Sequence, residues 1–249
     1  MIGISLLLTS IKSFSNDIYD ITVYHFKDTQ QESIIDNYLQ NAFIPAAHRA
    51  GKVNIGVFKP ISNDTSADKK IYMIVTYRSF EEIVALQKLL SIDMVYNQAG
   101  KDYITASYKT PPYARMENII MVAFDKAPYM MRPVLTSDKK DHIYELRSYE
   151  SATEAYHTNK LKMFNQGDEV GIFKSINANA VFYADVISGD KMPNLMYLTC
   201  YENMADRDAH WKAFGDNDKW KQLNAMDEYK NNVSKADIIL MHAATYSDY

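Results

Sequence analysis

One cysteine, Cys200, stands in 249 residues. That excludes an intramolecular disulfide framework and a multi-cysteine metal site. Glycine (8) and proline (7) are scarce, which rules out fibrous and low-complexity architectures. Charge of one sign is missing too: 27 basic and 31 acidic residues, net −4, are interspersed without long blocks, which argues against nucleic acid as a partner. The six histidines make no H-x-H, H-E-x-x-H or His/Cys spacing, so no metal motif is present. No G-x-S-x-G, Walker or G-x-G-x-x-G pattern occurs either. What the chain does have is 47% hydrophobic residues and 19 Tyr. A chain of this size can bury about 70–75% of its unfolded surface.

The first apolar run, residues 2–11, is far short of the roughly 20 residues of a bilayer span, so no membrane span is expected. Residues 1–15 read as a candidate signal peptide. Residues 4–11 form its apolar region, and Ser13-Phe14-Ser15 fits a cleavage site before Asn16, although no Lys or Arg precedes the run. Export, periplasmic or extracellular, is favoured over a cytoplasmic location; the alternative is a strand-forming N-terminus.

Four apolar blocks recur in order. Ile18-Tyr19-Asp20-Ile21-Thr22-Val23-Tyr24 matches Ile143-Tyr144-Glu145-Leu146-Arg147-Ser148-Tyr149, and Ile55-Gly56-Val57-Phe58-Lys59-Pro60-Ile61 matches Val170-Gly171-Ile172-Phe173-Lys174-Ser175-Ile176. Residues 71–77 match 195–201, and 118–123 match 237–242. Their β-branched and aromatic content predicts strands. Helix starts are predicted between them at Thr29-x-x-Glu32, Ser79-x-x-Glu82, Ser151-x-x-Glu154 and Asn203-x-x-Asp206, with a kink at Pro45. Each repeat reads β-α-β-β-α-β. The predicted fold is α+β: two tandem ferredoxin-like units, residues 16–125 and 142–249, packing sheet on sheet as a dimeric α/β-barrel. Residues 126–141 form a linker, and 177–193 an insertion with a strand-like stretch over Val181–Ile187 and a turn at Gly189-Asp190. Uncovered sheet edges make a homodimer by sheet addition an option.

In the second unit, Tyr144-Glu145-Leu146-Arg147-Ser148-Tyr149, the stretch Met204-Ala205-Asp206-Arg207-Asp208-Ala209-His210-Trp211 and Asp218-Lys219-Trp220 resemble the strand and helix signatures of NIPSNAP domains. The whole pattern is similar to two-unit NIPSNAP-like proteins of Bacteroidetes-type bacteria. The first unit departs from it, with Thr22 in place of the Arg and no Trp. The resemblance implies a dimeric α/β-barrel closed within one chain. Relatives by fold include cofactor-free monooxygenases, heme-degrading enzymes and chlorite dismutase-like proteins.

Alternation puts Glu145, Arg147 and Tyr149 on one strand face. There they form either an ion pair inside the barrel or an Arg/Tyr seat for a carboxylate or a heme propionate. On the following helix Arg207 and Trp211 are i, i+4, a cation–π spacing worth about 0.5–2 kcal/mol, and His210 flanks them as a heme-ligand or base candidate. These six residues are the ligand-binding candidates; catalytic residues are unknown. No motif requires a cofactor, and heme is the one option weighed. Tyr103, Tyr108 and Tyr113, in the Tyr-rich residues 96–113, are read as an aromatic rim or as packing. Cys200 reads as an inert buried thiol. The expected function is that of a NIPSNAP-like, non-catalytic soluble binding or interaction protein of undefined small-molecule or protein ligand. The alternative is a small-molecule enzyme, either a cofactor-free monooxygenase or a heme-handling protein.

Overall fold

Runs of alternating β-branched and aromatic residues become strands β1 (Ile18–Phe26), β2 (Gly56–Pro60), β3 (Lys69–Tyr77), β4 (Arg115–Ala123), β5 (Ile143–Glu150), β6 (Ala180–Ser188), β7 (Asn194–Tyr201) and β8 (Lys235–Ala243). The computed structural model describes residues 16–249, so the candidate signal peptide lies outside the described residues. The strands close one barrel in the order β1-β3-β2-β8-β5-β7-β6-β4. Each half contributes four antiparallel strands in the ferredoxin-like order (β4-β1-β3-β2 and β8-β5-β7-β6), and the halves join edge to edge at β2–β8 and β4–β6.

The halves agree in register. Ile18 faces Tyr77 and Ile143 faces Tyr201; Tyr19 faces Met121 and Tyr144 faces Met241. Closure leaves no free sheet edge among the described residues, so a homodimer would have to use a surface other than the expected edges. No helix among the described residues is long and apolar enough to cross a membrane.

Helices α1 (Thr29–Tyr38), α2 (Ile44–Arg49), α3 (Phe80–Ile92), α4 (Met94–Ala99) and α5 (Lys101–Ile104) cover the first half's sheet, and α6 (Glu154–Asn165), α7 (Glu169–Ser175), α8 (Met204–Asp216) and α9 (Asp218–Ala225) the second's. The chain therefore has three apolar cores. One fills the barrel, around Tyr19, Ile21, Tyr144 and Leu146. The other two lie between sheet and helices, one in each half.

Several helix details differ from expectation. Asp28, not Thr29, caps α1, accepting from the Gln31 amide at 2.9 Å. Thr153, not Ser151, caps α6, because the Ser151 hydroxyl is taken by the Asn232 carbonyl at 2.7 Å. The break expected at Pro45 is a π-helical turn, Leu39–Phe43, where the missing proline N–H would otherwise leave a carbonyl unpaired. Asn203 caps α8 as expected.

The larger correction concerns Val170–Ile176. It is not a strand, since Glu169–Ser175 is helix α7. The strand equivalent to β2 is β6, within the segment read as an insertion. The short apolar run of the helix buries Ile172 and Phe173 from one face, together with Glu169. Glu169 takes a 2.8 Å ion pair from the buried Lys160. In β6, Val181–Ala184 is buried on both sheet faces and pairs β7 with β4.

Residues 126–138 carry no strand or helix, yet they are held down. The Met131 amide donates to the Val181 carbonyl at 2.8 Å, and the Glu202 carboxylate accepts from Ser137 Oγ and from the Ser137 and Thr136 amides. These bonds, Ser137's foremost, lower the Glu202 pKa to about 2. A depressed carboxyl stabilises above its unfolded pKa and ceases to do so as pH falls through the folded one. The clamp is therefore intact at neutral pH and opens only near pH 2. At pH 7, Glu202→Gln is expected to speed tryptic cleavage at Lys139 and Lys140 several-fold; an unchanged rate would show that the carboxylate does not hold the segment.

Candidate functional site

Five of the six predicted site residues meet in the second half, between β5 and α8. Glu145 has no solvent exposure. Its carboxylate accepts from Arg147 Nε at 2.5 Å, Arg207 Nε at 2.6 Å and Trp211 Nε1 at 2.9 Å. The Arg147 guanidinium lies 3.6 Å from the centre of a Trp211 ring and donates to the Tyr149 hydroxyl at 2.9 Å, which in turn bonds Tyr197 at 2.8 Å. Burial works against the Arg147 charge, but Tyr197, Tyr149 and Glu145 outweigh it and raise its pKa.

His210 stands apart. Its Nδ1 bonds the Asp206 carbonyl at 2.9 Å, and its ring packs 5.6 Å from Tyr201. The Glu145–Arg147 pair faces the helices and not, as expected, the barrel interior, because the apolar face of β5, Tyr144 and Leu146, takes the interior. Arg147, not Arg207 as its spacing suggested, makes the close contact with Trp211; Arg207 lies at 6.0 Å. The cluster is a packed network in which Arg147, Arg207 and the Trp211 N–H all donate to the buried Glu145 carboxylate.

Register carries each of these positions into the first half. Asp20, Thr22 and Tyr24 on β1 correspond to Glu145, Arg147 and Tyr149. Both α3 and α8 are 13 residues long and begin after Ser79 and Asn203, although the Ser79 side chain makes no capping hydrogen bond, so Ile83, Leu86 and Gln87 correspond to Arg207, His210 and Trp211. The two arginines and the indole are thus replaced by Thr, Ile and Gln. In their place lies a cavity of about 700 Å³ lined by Asp20, Thr22, Tyr24, Ile83, Leu86 and Gln87, among others.

Six tyrosines wall it: Tyr24, Tyr38, Tyr77, Tyr96, Tyr103 and Tyr113. Tyr103 stacks on Tyr38 at 3.8 Å and meets Tyr24 edge-on at 6.2 Å and Tyr113 at 5.7 Å. The Tyr38 and Tyr96 hydroxyls bond at 2.9 Å. Gly100 sets the α4–α5 corner that brings Tyr96 and Tyr103 inward; a Cβ there would stand 2.8 Å from Ile104 Cδ1 and 3.2 Å from Ala42. Of the expected aromatic rim, Tyr103 and Tyr113 line the cavity, whereas Tyr108 is 88% exposed.

The floor is polar. Asn118 Nδ2 donates to Asp20 Oδ1 at 2.9 Å and to Thr22 Oγ1 at 3.1 Å. Burial pushes the Asp20 carboxyl up, and the Asn118 bond only partly counters it. Burial also raises the Tyr24, Tyr38, Tyr96 and Tyr103 hydroxyls. No Lys, Arg or His lines the space, and Asp20 is its one carboxylate. The tetrad Asp20, Tyr38, Gln87 and Asn118 was not singled out as site residues from sequence. The available signal was the pair of departures in the first repeat, Thr22 for Arg and no Trp.

Smaller cavities lie elsewhere among the described residues, two of them away from α1. One of about 520 Å³ runs between residues 126–133 and α7. The other, about 200 Å³, sits at one barrel mouth beside the 2.6 Å His25–Asp68 pair. Among the described residues no group of three His, Cys, Asp or Glu could hold a metal ion. Cys200 is buried, with a thiol that burial pushes up to about 12.

The family profile described as NIPSNAP matches residues 144–248. No curated protein matches the chain. Among solved structures, a candidate monooxygenase of Lactobacillus acidophilus NCFM is similar at 12% identity and a TM-score of 0.60, with 92% of this chain and 94% of that one covered. A candidate monooxygenase of Fusobacterium nucleatum has 6% identity and a TM-score of 0.59, with 92% and 93% covered. An anthrone oxidase-like protein has 8% identity and a TM-score of 0.51, with 92% of each covered. At these identities the likeness is one of fold. Residues 144–248 match the NIPSNAP family profile, in a chain with the fold of the dimeric α/β-barrels.

Proposed function

We propose that the protein is a small-molecule binding protein whose ligand occupies the first half's cavity, while the NIPSNAP domain serves as the closed, load-carrying half of the barrel. One observation carries this reading. Positions equivalent in register are filled by Arg147, Arg207 and Trp211 in one half and left open by Thr22, Ile83 and Gln87 in the other. A packed core does not leave such a volume without cost, since voids forfeit dispersion contacts. At about 700 Å³ the space falls within the roughly 300–1,000 Å³ of ligand sites, and its mixture of apolar and aromatic wall with a few polar groups is typical of them.

We read residues 16–125 and 142–249 as two copies of one unit, of which the first has lost the filling cluster and kept the fold. The predicted ligand candidates Glu145, Arg147, Tyr149, Arg207 and Trp211 are then scaffold. Oxygenation is no part of the proposal, because the likeness to candidate monooxygenases is one of fold at 6–12% identity.

The test is calorimetric titration of the full chain with a set of one-ring aromatic compounds, each carrying a single neutral, cationic or anionic group. Saturable binding at one molecule per chain, competitive among the compounds that bind, is the expected result. Absence of binding by every compound at millimolar concentration would overturn the reading.

A further inference from the structure

The second half shows what the first half's cavity lacks. There a guanidinium, that of Arg147, lies between a buried carboxylate, Glu145, and an indole ring, with a tyrosine hydroxyl completing its bonds. The first half keeps the acid as Asp20 and the tyrosine as Tyr24, and replaces the cation with Thr22. It therefore retains the seat of a cation without the cation.

We propose that the ligand of this cavity is an organic cation, an ammonium or guanidinium on a small apolar body, seated on the Asp20 carboxylate and walled by tyrosine rings. The inference rests on the reading that the cavity is a ligand site. Three further features support the assignment. Asp20 is the one carboxylate lining the space, and its polar partner there is a neutral amide, Asn118 at 2.9 Å. No cationic side chain lines the space to neutralise it; Lys52, 4.7 Å over the outlying Tyr77 ring, is already paired with Glu82 at 2.5 Å. The rings of Tyr24, Tyr38 and Tyr103, packed stacked and edge-on, line the space, and an aromatic wall of this kind attracts a desolvated cation through the ring quadrupole. An anionic ligand would meet Asp20 with no compensating charge.

The experiment compares benzamidinium with its neutral near-isostere benzamide and with benzoate, by calorimetry at pH 7.5. Benzamidinium is expected to bind at least about tenfold more tightly than benzamide, and benzoate not to bind. Asp20→Asn, which keeps the shape, is expected to weaken benzamidinium about 30-fold while leaving benzamide within about twofold. Thr22→Arg supplies the cation from within and is expected to abolish benzamidinium binding with the thermal midpoint retained or raised. Equal affinities for benzamidinium and benzamide, or an unchanged benzamidinium affinity in Asp20→Asn, would overturn the cation assignment and leave the cavity standing as a site for neutral ligands. Failure of all three compounds, and of the wider aromatic set, would remove the site itself.

Discussion

Replacing Glu145 with alanine is expected to destabilise the chain by about 3–5 kcal/mol, the range for stranding a buried charge by removing its partner. The carboxylate is fully buried and receives Arg147, Arg207 and the Trp211 indole N–H. Without it, two guanidiniums remain under α8, with Arg147 only 12% exposed and unable to rehydrate. The register-equivalent substitution, Asp20→Ala, is the internal control. Asp20 is partly exposed beside a cavity and its partner is one amide, Asn118, so its loss should cost less than about 1 kcal/mol. Urea denaturation of the two variants checks both values. A Glu145→Ala cost as small as that of Asp20→Ala would show that the cluster does not hold the second half together.

Gln87→Trp places an indole where α8 carries Trp211, and it is expected to weaken binding of any cavity ligand by at least about 100-fold. The side chain would enter the space between Tyr24, Leu86 and Thr22 and bury apolar surface that Gln does not, so stability should stay level or rise by about 0.5–2 kcal/mol, as for other cavity-filling substitutions. Loss of binding without loss of stability separates occlusion from misfolding. Calorimetry with benzamidinium, paired with a thermal melt, reads both quantities. Undiminished binding in a folded Gln87→Trp chain would place the ligand elsewhere.

The strand pattern carried most of the fold. β1, β2, β3, β4, β5, β7 and β8 are legible because their β-branched and aromatic blocks repeat, and the family resemblance of the second half rests on Glu145, Arg147 and Trp211 in recognisable spacing. The second half's β6 is strand-like in the sequence over Val181–Ile187, but its place as the counterpart of β2 goes to the apolar Val170–Phe173 stretch, which imitates a strand in a helix too short to show its period. The site was harder to see. Residue types that announce chemistry, such as Arg147, His210 and Trp211, lie in the closed half. A cavity is made by residues that are smaller or less polar than their counterparts, such as Thr22, Ile83 and Gln87, and small residues carry no motif. Only the comparison of the two halves in register turns those quiet positions into a signal.

Crystallographic determination of the complex with phenyltrimethylammonium, which cannot donate a hydrogen bond and so reports charge and aromatic contact alone, locates the cation site. The expected result is the trimethylammonium group between the Asp20 carboxylate and the rings of Tyr24 and Tyr103, with Arg147 still stacked on Trp211. A cation seated against Glu145 with Arg147 displaced, or in the cavity beside α7, would contradict it.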